Sequence, residues 1–292
     1  MILDGKVASA EWKLKLAIEV NQLLSQGKRA PHLSAILVGN NGASETYLAS
    51  KVKNCAEVGF KSSLFRFDST ISEVDLLNKI KEINDDDSID GLIVQLPLPA
   101  HIDVQKVTEA ISPKKDVDGF HPVNAGRMMQ NLPCYIPATP FGILLMLEHF
   151  KVETSGKSCA IIGRSNIVGI PMSVLMSRNG YPGNCTVTLC HSKTADIQSI
   201  TLKSDIIVAA LGKPYFLKAE MVKEGAIVID VGITRMVSDK TKSGFKIAGD
   251  VDFENVSEKC SWITPVPGGV GLMTIVGLLK NTLTAAKNEI TF

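Results

Sequence analysis

The chain has no excess of charge of either sign. Lys and Arg number 31 and Asp and Glu 30 among 292 residues, a formal net charge of +1. That excludes any general attraction to nucleic acid or to an anionic membrane surface, although a local basic pocket stays open. Aromatic residues are few, at 5%, in a composition otherwise ordinary for a soluble α/β protein: 45% hydrophobic and 21% charged. No apolar run approaches the ~18–20 residues a membrane span requires. The six cysteines (Cys55, Cys134, Cys159, Cys185, Cys190, Cys260) include no Cys-x-x-Cys pair and no His at metal spacing. They read as reduced thiols, and Cys159 and Cys190 as small hydrophobes in strands, so neither a disulfide framework nor a metal site is expected. The first residues, Met1-Ile-Leu-Asp-Gly-Lys, carry an acid and no apolar signal core, so the expected location is cytoplasmic.

What is present is alternation. Helical periodicity over residues 9–26 stops at Gly27, and an apolar strand over 32–38 ends at Gly39. A helix over 44–58 is opened by Ser44 as its cap and closed by Gly59. A weaker strand at 63–67, a helix at 74–83 and a strand at 89–96 stopped by Pro97 and Pro99 follow. Residues 112–137 are rich in Pro, Gly and Asn without a period, as a functional loop or a domain crossing would be. After a helix at 139–150 a second series begins: strands at 158–162, 186–190, 205–210 and 226–231, with a helix at 168–178. A loop at 264–271 and a helix at 272–287 end the chain. Repeated β-α-β order predicts an α/β fold with largely parallel sheets covered on both faces.

Three constellations carry chemistry. The first is Gly163-Arg164-Ser165-Asn166-Ile167-Val168-Gly169-Ile170-Pro171, between an apolar strand and a helix start. Glycines there let the backbone approach a pyrophosphate, which the helix N-terminus stabilises. A strand end binding the NAD ribose carries an acid; here it reads Cys190-His191-Ser192-Lys193. Arg164, Ser165, Ser192 and Lys193 suit a 2′-phosphate instead, which favours NADP. The second is the stripe Ser44, Tyr47, Lys51, at i, i+3 and i+7 of one helix. A tyrosine and a lysine four apart can tune each other as an acid/base unit. Short-chain dehydrogenases share that spacing, but their nucleotide loop precedes the pair, whereas here it follows.

The third gathers strand ends and loops. Val94-Gln95-Leu96 puts an amide at the end of a buried strand, where it needs hydrogen-bond partners. Lys115-Asp116-Val117-Asp118-Gly119-Phe120-His121 adds two carboxylates. Either is equally an Asx-turn or cap residue, but Asp118 can also pair with the amidine-like edge of a heterocycle. His121, before a proline, reads as structural. Thr264-Pro-Val-Pro267-Gly268-Gly269-Val270-Gly271 is a close-approach loop, or a turn without a ligand.

In this order these segments, with Pro137-Ala-Thr139-Pro140-x-Gly142, resemble bifunctional methylenetetrahydrofolate dehydrogenase/methenyltetrahydrofolate cyclohydrolase. The resemblance implies two α/β domains with a cleft between them. A folate-binding catalytic domain would take residues 1–138 and 272–292, the last helix returning to it, and a Rossmann-type NADP domain residues 139–271. It implies hydride transfer from 5,10-methylenetetrahydrofolate to NADP⁺, then hydrolysis of the methenyl cation to 10-formyltetrahydrofolate, as in one-carbon metabolism. Lys51 would be the hydrolytic acid/base residue, assisted by Tyr47 and Gln95, and Asp118 would bind the pterin. Ser44, Val94, Leu96, Pro267, Gly268, Gly269, Val270 and Gly271 would line the folate side; Gly163, Arg164, Ser165, Ser192 and Ile233 the NADP side. It further implies a homodimer without a metal. Leu272 stands where the family usually has proline, and Leu48 where valine is commoner. A monofunctional dehydrogenase and a non-catalytic nucleotide sensor are the alternatives. Retention of Lys51, Tyr47 and Gln95 speaks against both.

Overall fold

A computed structural model describes residues 1–40, 42–239, 241 and 244–292. The chain divides into two compact units, one of Glu11–Ala138 with Ile275–Phe292, the other of Met1–Ala10 with Thr139–Thr274.

The first unit begins within helix α1 (Gly5–Ser25). Gly27, at φ +75°, ends the helix, and Lys28 N–H reaches back to the Leu23 carbonyl. Strand β1 (His32–Val38), helix α2 (Gly42–Glu57), strand β2 (Lys61–Phe67), helix α3 (Glu73–Asp85) and strand β3 (Gly91–Val94) follow. The sheet order is β2-β1-β3 and both pairings are parallel. Helix α3 is capped by Ser72 and drives Leu76, Ile80 and Ile83 onto Ile36, Leu92 and Val94. Each such side chain, fully buried, is worth about 1.5–3 kcal/mol.

Residues 112–137 are more ordered than their composition predicts, and a further short helix precedes them. Helix α4 (Val104–Ala110) is capped by Asp103, and helix α5 (Pro122–Met129) by the ring nitrogen of His121 with Pro122 in its first turn. Both are too short to display a hydrophobic period, and side chains rather than pattern start them. Between them Asp116 extends the sheet edge: it bridges to Leu92, whose N–H donates to Lys115 O at 2.8 Å.

The second unit has helix α6 (Ala138–His149), strand β4 (Ser158–Ile162), helix α7 (Gly169–Ser177), strand β5 (Thr186–Cys190), helix α8 (Ile197–Thr201), and strands β6 (Ile206–Ala209) and β7 (Ile227–Asp230). Strands β8 (Thr234–Val237) and β9 (Phe245–Ala248) form an antiparallel hairpin. Helix α9 (Phe253–Ser257), strand β10 (Trp262–Ile263) and helix α10 (Val270–Ala286) complete the chain. The five-stranded sheet is parallel throughout, in the order β10-β7-β6-β4-β5. Its core is Ile162, Ile207, Val228 and Ile263, with Val251 and Val256 against it. Cys159 and Cys190 are buried in β4 and β5. Among the described residues, no helix is long and apolar enough to cross a membrane.

Candidate functional site

Helix α2 starts at Gly42, two residues before the expected cap. Ser44 therefore lies inside its first turn rather than at its end, and its hydroxyl reaches the Leu96 carbonyl at 3.5 Å. Asn41, which precedes Gly42, lies outside the described residues, as does the Ala43 side chain. Two helical turns further along the stripe, Lys51 is only 5% exposed. Its Nζ donates to Gln95 Oε1 at 3.3 Å and stands 4.8 Å from the centre of the Tyr47 ring. Gln95 is held from both ends. Its backbone N–H continues the sheet by donating to Ile36 O, and its Nε2 donates to Leu96 O at 2.9 Å. The strand end thus presents its one acceptor oxygen to the lysine.

Burial pushes the Lys51 pKa below the ordinary lysine value; Asp118 and Cys55, on the next turn of α2, oppose that shift. Burial, with Asp118, raises the Tyr47 phenol well above its usual range. The Cys55 thiol is pushed up to about 12 by burial. At neutral pH the phenol and thiol keep their protons, while burial disfavours the charged form of the amine.

The two aspartates of the Lys115–Phe120 segment part ways. Asp116 is buried and accepts from Phe120 N–H (3.1 Å), His121 N–H (2.8 Å) and Asn124 Nδ2 (2.8 Å). It is the turn-forming residue, and burial raises it to about 7. Asp118 is half-buried, and its carboxylate accepts no hydrogen bond among the described residues. With Val94, Leu96, Ile111 and Phe120 it lines a small pocket. Gly119 makes the turn at φ +74°, where a Cβ would strike the Ile136–Pro137 backbone. Ser44, Tyr47, Lys51, Val94, Gln95, Leu96 and Asp118 all belong to this one unit.

Pro267, Gly268, Gly269, Val270 and Gly271 belong to the other unit. Gly269 is packed against Pro265 O, and Gly5 against Gly269, so chain packing alone requires glycine there. In the same unit Gly163, at φ +120°, leaves no room for a Cβ beside Ala210 O, and Gly169 none beside Gly163 O. These glycines let the turn fold onto itself. Ser165 Oγ accepts from Val168 N–H (3.2 Å) and Gly169 N–H (3.4 Å), starting α7. Arg164, Ser165, Asn166 and Ile167 are exposed, and among the described residues their backbone N–H groups meet no acceptor. Such a row of amides ahead of a helix suits phosphate oxygens. At the end of β5, Ser192 and Lys193 are exposed in a turn closed by His191 and Thr194. Ile233 is 60% exposed just beyond β7.

Sequence reasoning passed over three buried polar residues that organise these surroundings. Asn281 of α10 donates to Val117 O and Ile136 O, both at 2.8 Å, on either side of the Asp118 turn. Asp230 and Asp250 take up backbone N–H groups at the sheet's carboxyl edge. A buried polar residue in an apolar segment is the one signal that marks all three.

Residues 3–118 match the tetrahydrofolate dehydrogenase/cyclohydrolase catalytic domain and residues 137–290 the NAD(P)-binding domain of the same name. The bifunctional protein FolD of Bacteroides fragilis is 58% identical over 289 residues, 99% of either chain. That of Flavobacterium johnsoniae is 60% identical over 286, covering 98% of this chain and 97% of its own. The crystal structure of the bifunctional FolD dehydrogenase/cyclohydrolase from Campylobacter jejuni is 47% identical, with TM-score 0.92 and 99% of both chains covered. The Trypanosoma brucei enzyme, complexed with NADP cofactor and inhibitor, is 34% identical with TM-score 0.93, covering 100% of this chain and 99% of its own. With both domains present along its length, the chain belongs to the tetrahydrofolate dehydrogenase/cyclohydrolase family.

Proposed function

We propose that this bifunctional enzyme divides its two reactions between a proton-transfer group on α2 and a nucleotide surface around the Gly163 turn. The observation that carries the assignment is Lys51: a buried amine, lowered in pKa, touching Gln95 and Tyr47 with Asp118 nearby. In the first reaction NADP⁺ accepts a hydride from 5,10-methylenetetrahydrofolate. The substrate nitrogen's lone pair drives its departure, so the protein's task is to hold and orient. In the second, water adds to the methenyl carbon. Lys51 takes one proton from that water and returns it to the ring nitrogen as the carbon–nitrogen bond opens. The second proton leaves to solvent as the hydroxyl becomes the formyl carbonyl, carrying off the charge of the methenyl cation and giving neutral 10-formyltetrahydrofolate. Gln95 aims the amine and Tyr47 supports it. Asp118, unburdened by protein donors, pairs with the pterin edge. Ser44, Val94 and Leu96 add folate contacts from the same unit, and the family resemblance assigns Pro267, Gly268, Gly269, Val270 and Gly271 to folate binding as well.

For the nucleotide, the exposed amides at 164–167 and the two packed glycines fit a pyrophosphate. Arg164, Ser165 and Ser192, with no acid at the end of β5, fit a 2′-phosphate and so favour NADP over NAD. Ile233 offers an apolar contact. The same resemblance supports the division of folate and NADP binding between residues 1–138 with 272–292 and residues 139–271. It also supports a cytoplasmic homodimer that acts on tetrahydrofolate derivatives and engages neither nucleic acid nor membrane. Incubation with 5,10-methylenetetrahydrofolate and NADP⁺, followed at the methenyl and NADPH absorbances, tests the proposal. NADPH should form while the methenyl signal rises and then decays enzymatically. Persistent methenyl product would indicate a dehydrogenase alone, and NADP binding without turnover a sensor.

A further inference from the structure

Asp230, the last residue of β7, and Asp250 are buried together at the carboxyl edge of the five-stranded sheet, 2% and 0% exposed. Both oxygens of Asp230 are committed: Oδ1 accepts from Gly232 N–H and Asp250 N–H, each at 2.9 Å, and Oδ2 from Val251 N–H at 3.0 Å. Asp250 is used unevenly. Its Oδ2 accepts from Leu211 N–H (2.6 Å) and Gly212 N–H (2.9 Å), while Oδ1 is buried with no hydrogen-bond partner. Gly232 and Gly249 are glycines for the carboxylates' sake: a Cβ on either would run into Asp250 or Asp230.

What these bonds hold is specific. Leu211 and Gly212 follow Ala210, whose carbonyl is the surface against which Gly163 is packed. Gly232 precedes the exposed Ile233. We infer that Asp230 and Asp250 are positioning residues for the nucleotide surface, Asp250 setting the floor under the Gly163 turn through a single oxygen and Asp230 setting the approach to Ile233. The assignment rests on the nucleotide reading above. A like-charged buried pair is costly, and burial with the Asp250 charge raises Asp230 to about 6. Three backbone donors on one carboxylate and two on the other offset that cost.

The uneven use of oxygens makes the test sharp. Asp230→Asn and Asp250→Asn each remove one charge at constant volume. In Asp250→Asn the amide oxygen keeps both N–H groups and its NH₂ occupies the place of the partnerless Oδ1. In Asp230→Asn an NH₂ must face a backbone N–H. The KM for NADP⁺ should rise about tenfold or more in Asp230→Asn and Asp250→Ala, and stay within about twofold in Asp250→Asn, with kcat at saturation little changed. Methenyl hydrolysis, which uses no nucleotide, should stay within about twofold in all three, which also reports that they fold. Equal effects of the two asparagine variants, an unchanged KM in Asp250→Ala, or a parallel fall of hydrolysis would each overturn the inference. Should Asp230→Asn and Asp250→Ala fail to fold, hydrogen exchange decides: Leu211 and Gly212 amides must stay as protected in Asp250→Asn as in wild type, and faster exchange there overturns it. Failure of the underlying nucleotide reading shows separately, as wild-type enzyme that does not bind NADP⁺.

Discussion

Lys51 lies under Gln95, amine to amide oxygen at 3.3 Å, at a position water scarcely reaches. Nothing in hydride transfer needs that amine, whereas opening a hydrated methenyl ring needs a proton moved twice. Lys51→Met keeps the length and the apolar stem and deletes only the donor. Hydrolysis should fall by about 10²-fold or more, in the range of a lost acid/base group, while NADP⁺-dependent oxidation stays measurable. Single-turnover methenyl decay and NADPH formation on the same preparation check this. Equal loss of both, with folate binding intact, would remove Lys51 from its role.

The pH dependence of hydrolysis should carry the signature of the lowered amine. Because burial lowers the Lys51 pKa, the neutral form accumulates at lower pH than for an exposed lysine, and the rate should rise to a plateau below 10.5. Asp118 acts in the opposite sense, favouring the ammonium. Asp118→Asn should therefore move the rise to lower pH at saturating folate, whatever it does to KM. A move to higher pH contradicts the electrostatic coupling.

Asn281 ties α10 to the backbone on both sides of the Asp118 turn. Asn281→Leu conserves shape but leaves two carbonyls without their donor, at a cost of about 1–3 kcal/mol for each buried unpaired group. The melting temperature should fall and the KM for the folate should rise, with the KM for NADP⁺ little affected. A lower melting temperature without any change in folate KM would make Asn281 a stability residue only.

The parts of the fold that were readable from sequence are those with a repeating local signal. Strands His32–Val38, Ser158–Ile162 and Thr186–Cys190 begin and end where their apolar runs do. Helix α5 was hidden because eight residues containing Pro, Asn and Gly display no period, and the cap comes from a histidine ring. The β8–β9 hairpin was hidden because it is largely exposed and so lacks a full apolar alternation. Around the site, Lys51, Gln95 and Asp118 stood out by type and place. Ser44 was misread as a cap because a serine before a helical pattern is the usual signal, and here Gly42 already starts the helix. The pairing of Asp230 with Asp250 joins residues 20 apart, and Asn281 lies 164 residues from Val117. Neither bond leaves a local pattern to read. Gly163 and Gly169 were legible as glycines that matter, but for a different reason: their first obligation is to the turn's own backbone.

That obligation leaves the Arg164 side chain available to a cofactor, and the partner we propose for it is the 2′-phosphate. Arg164 is exposed, and no hydrogen bond ties it to the described residues. A guanidinium beside a 2′-phosphate makes charge-assisted bonds worth about 1.5–3 kcal/mol, roughly 10- to 100-fold in affinity. NAD⁺ lacks that phosphate and gains nothing from them. Arg164→Ala should therefore raise the KM for NADP⁺ about tenfold or more, leave the KM for NAD⁺ nearly unchanged, and spare methenyl hydrolysis. Arg164→Lys should recover only part of the loss, since an ammonium keeps the charge but not the forked geometry. Parallel weakening of NADP⁺ and NAD⁺ would instead place Arg164 at the pyrophosphate, and the preference for NADP would then have to come from Ser165 and Ser192.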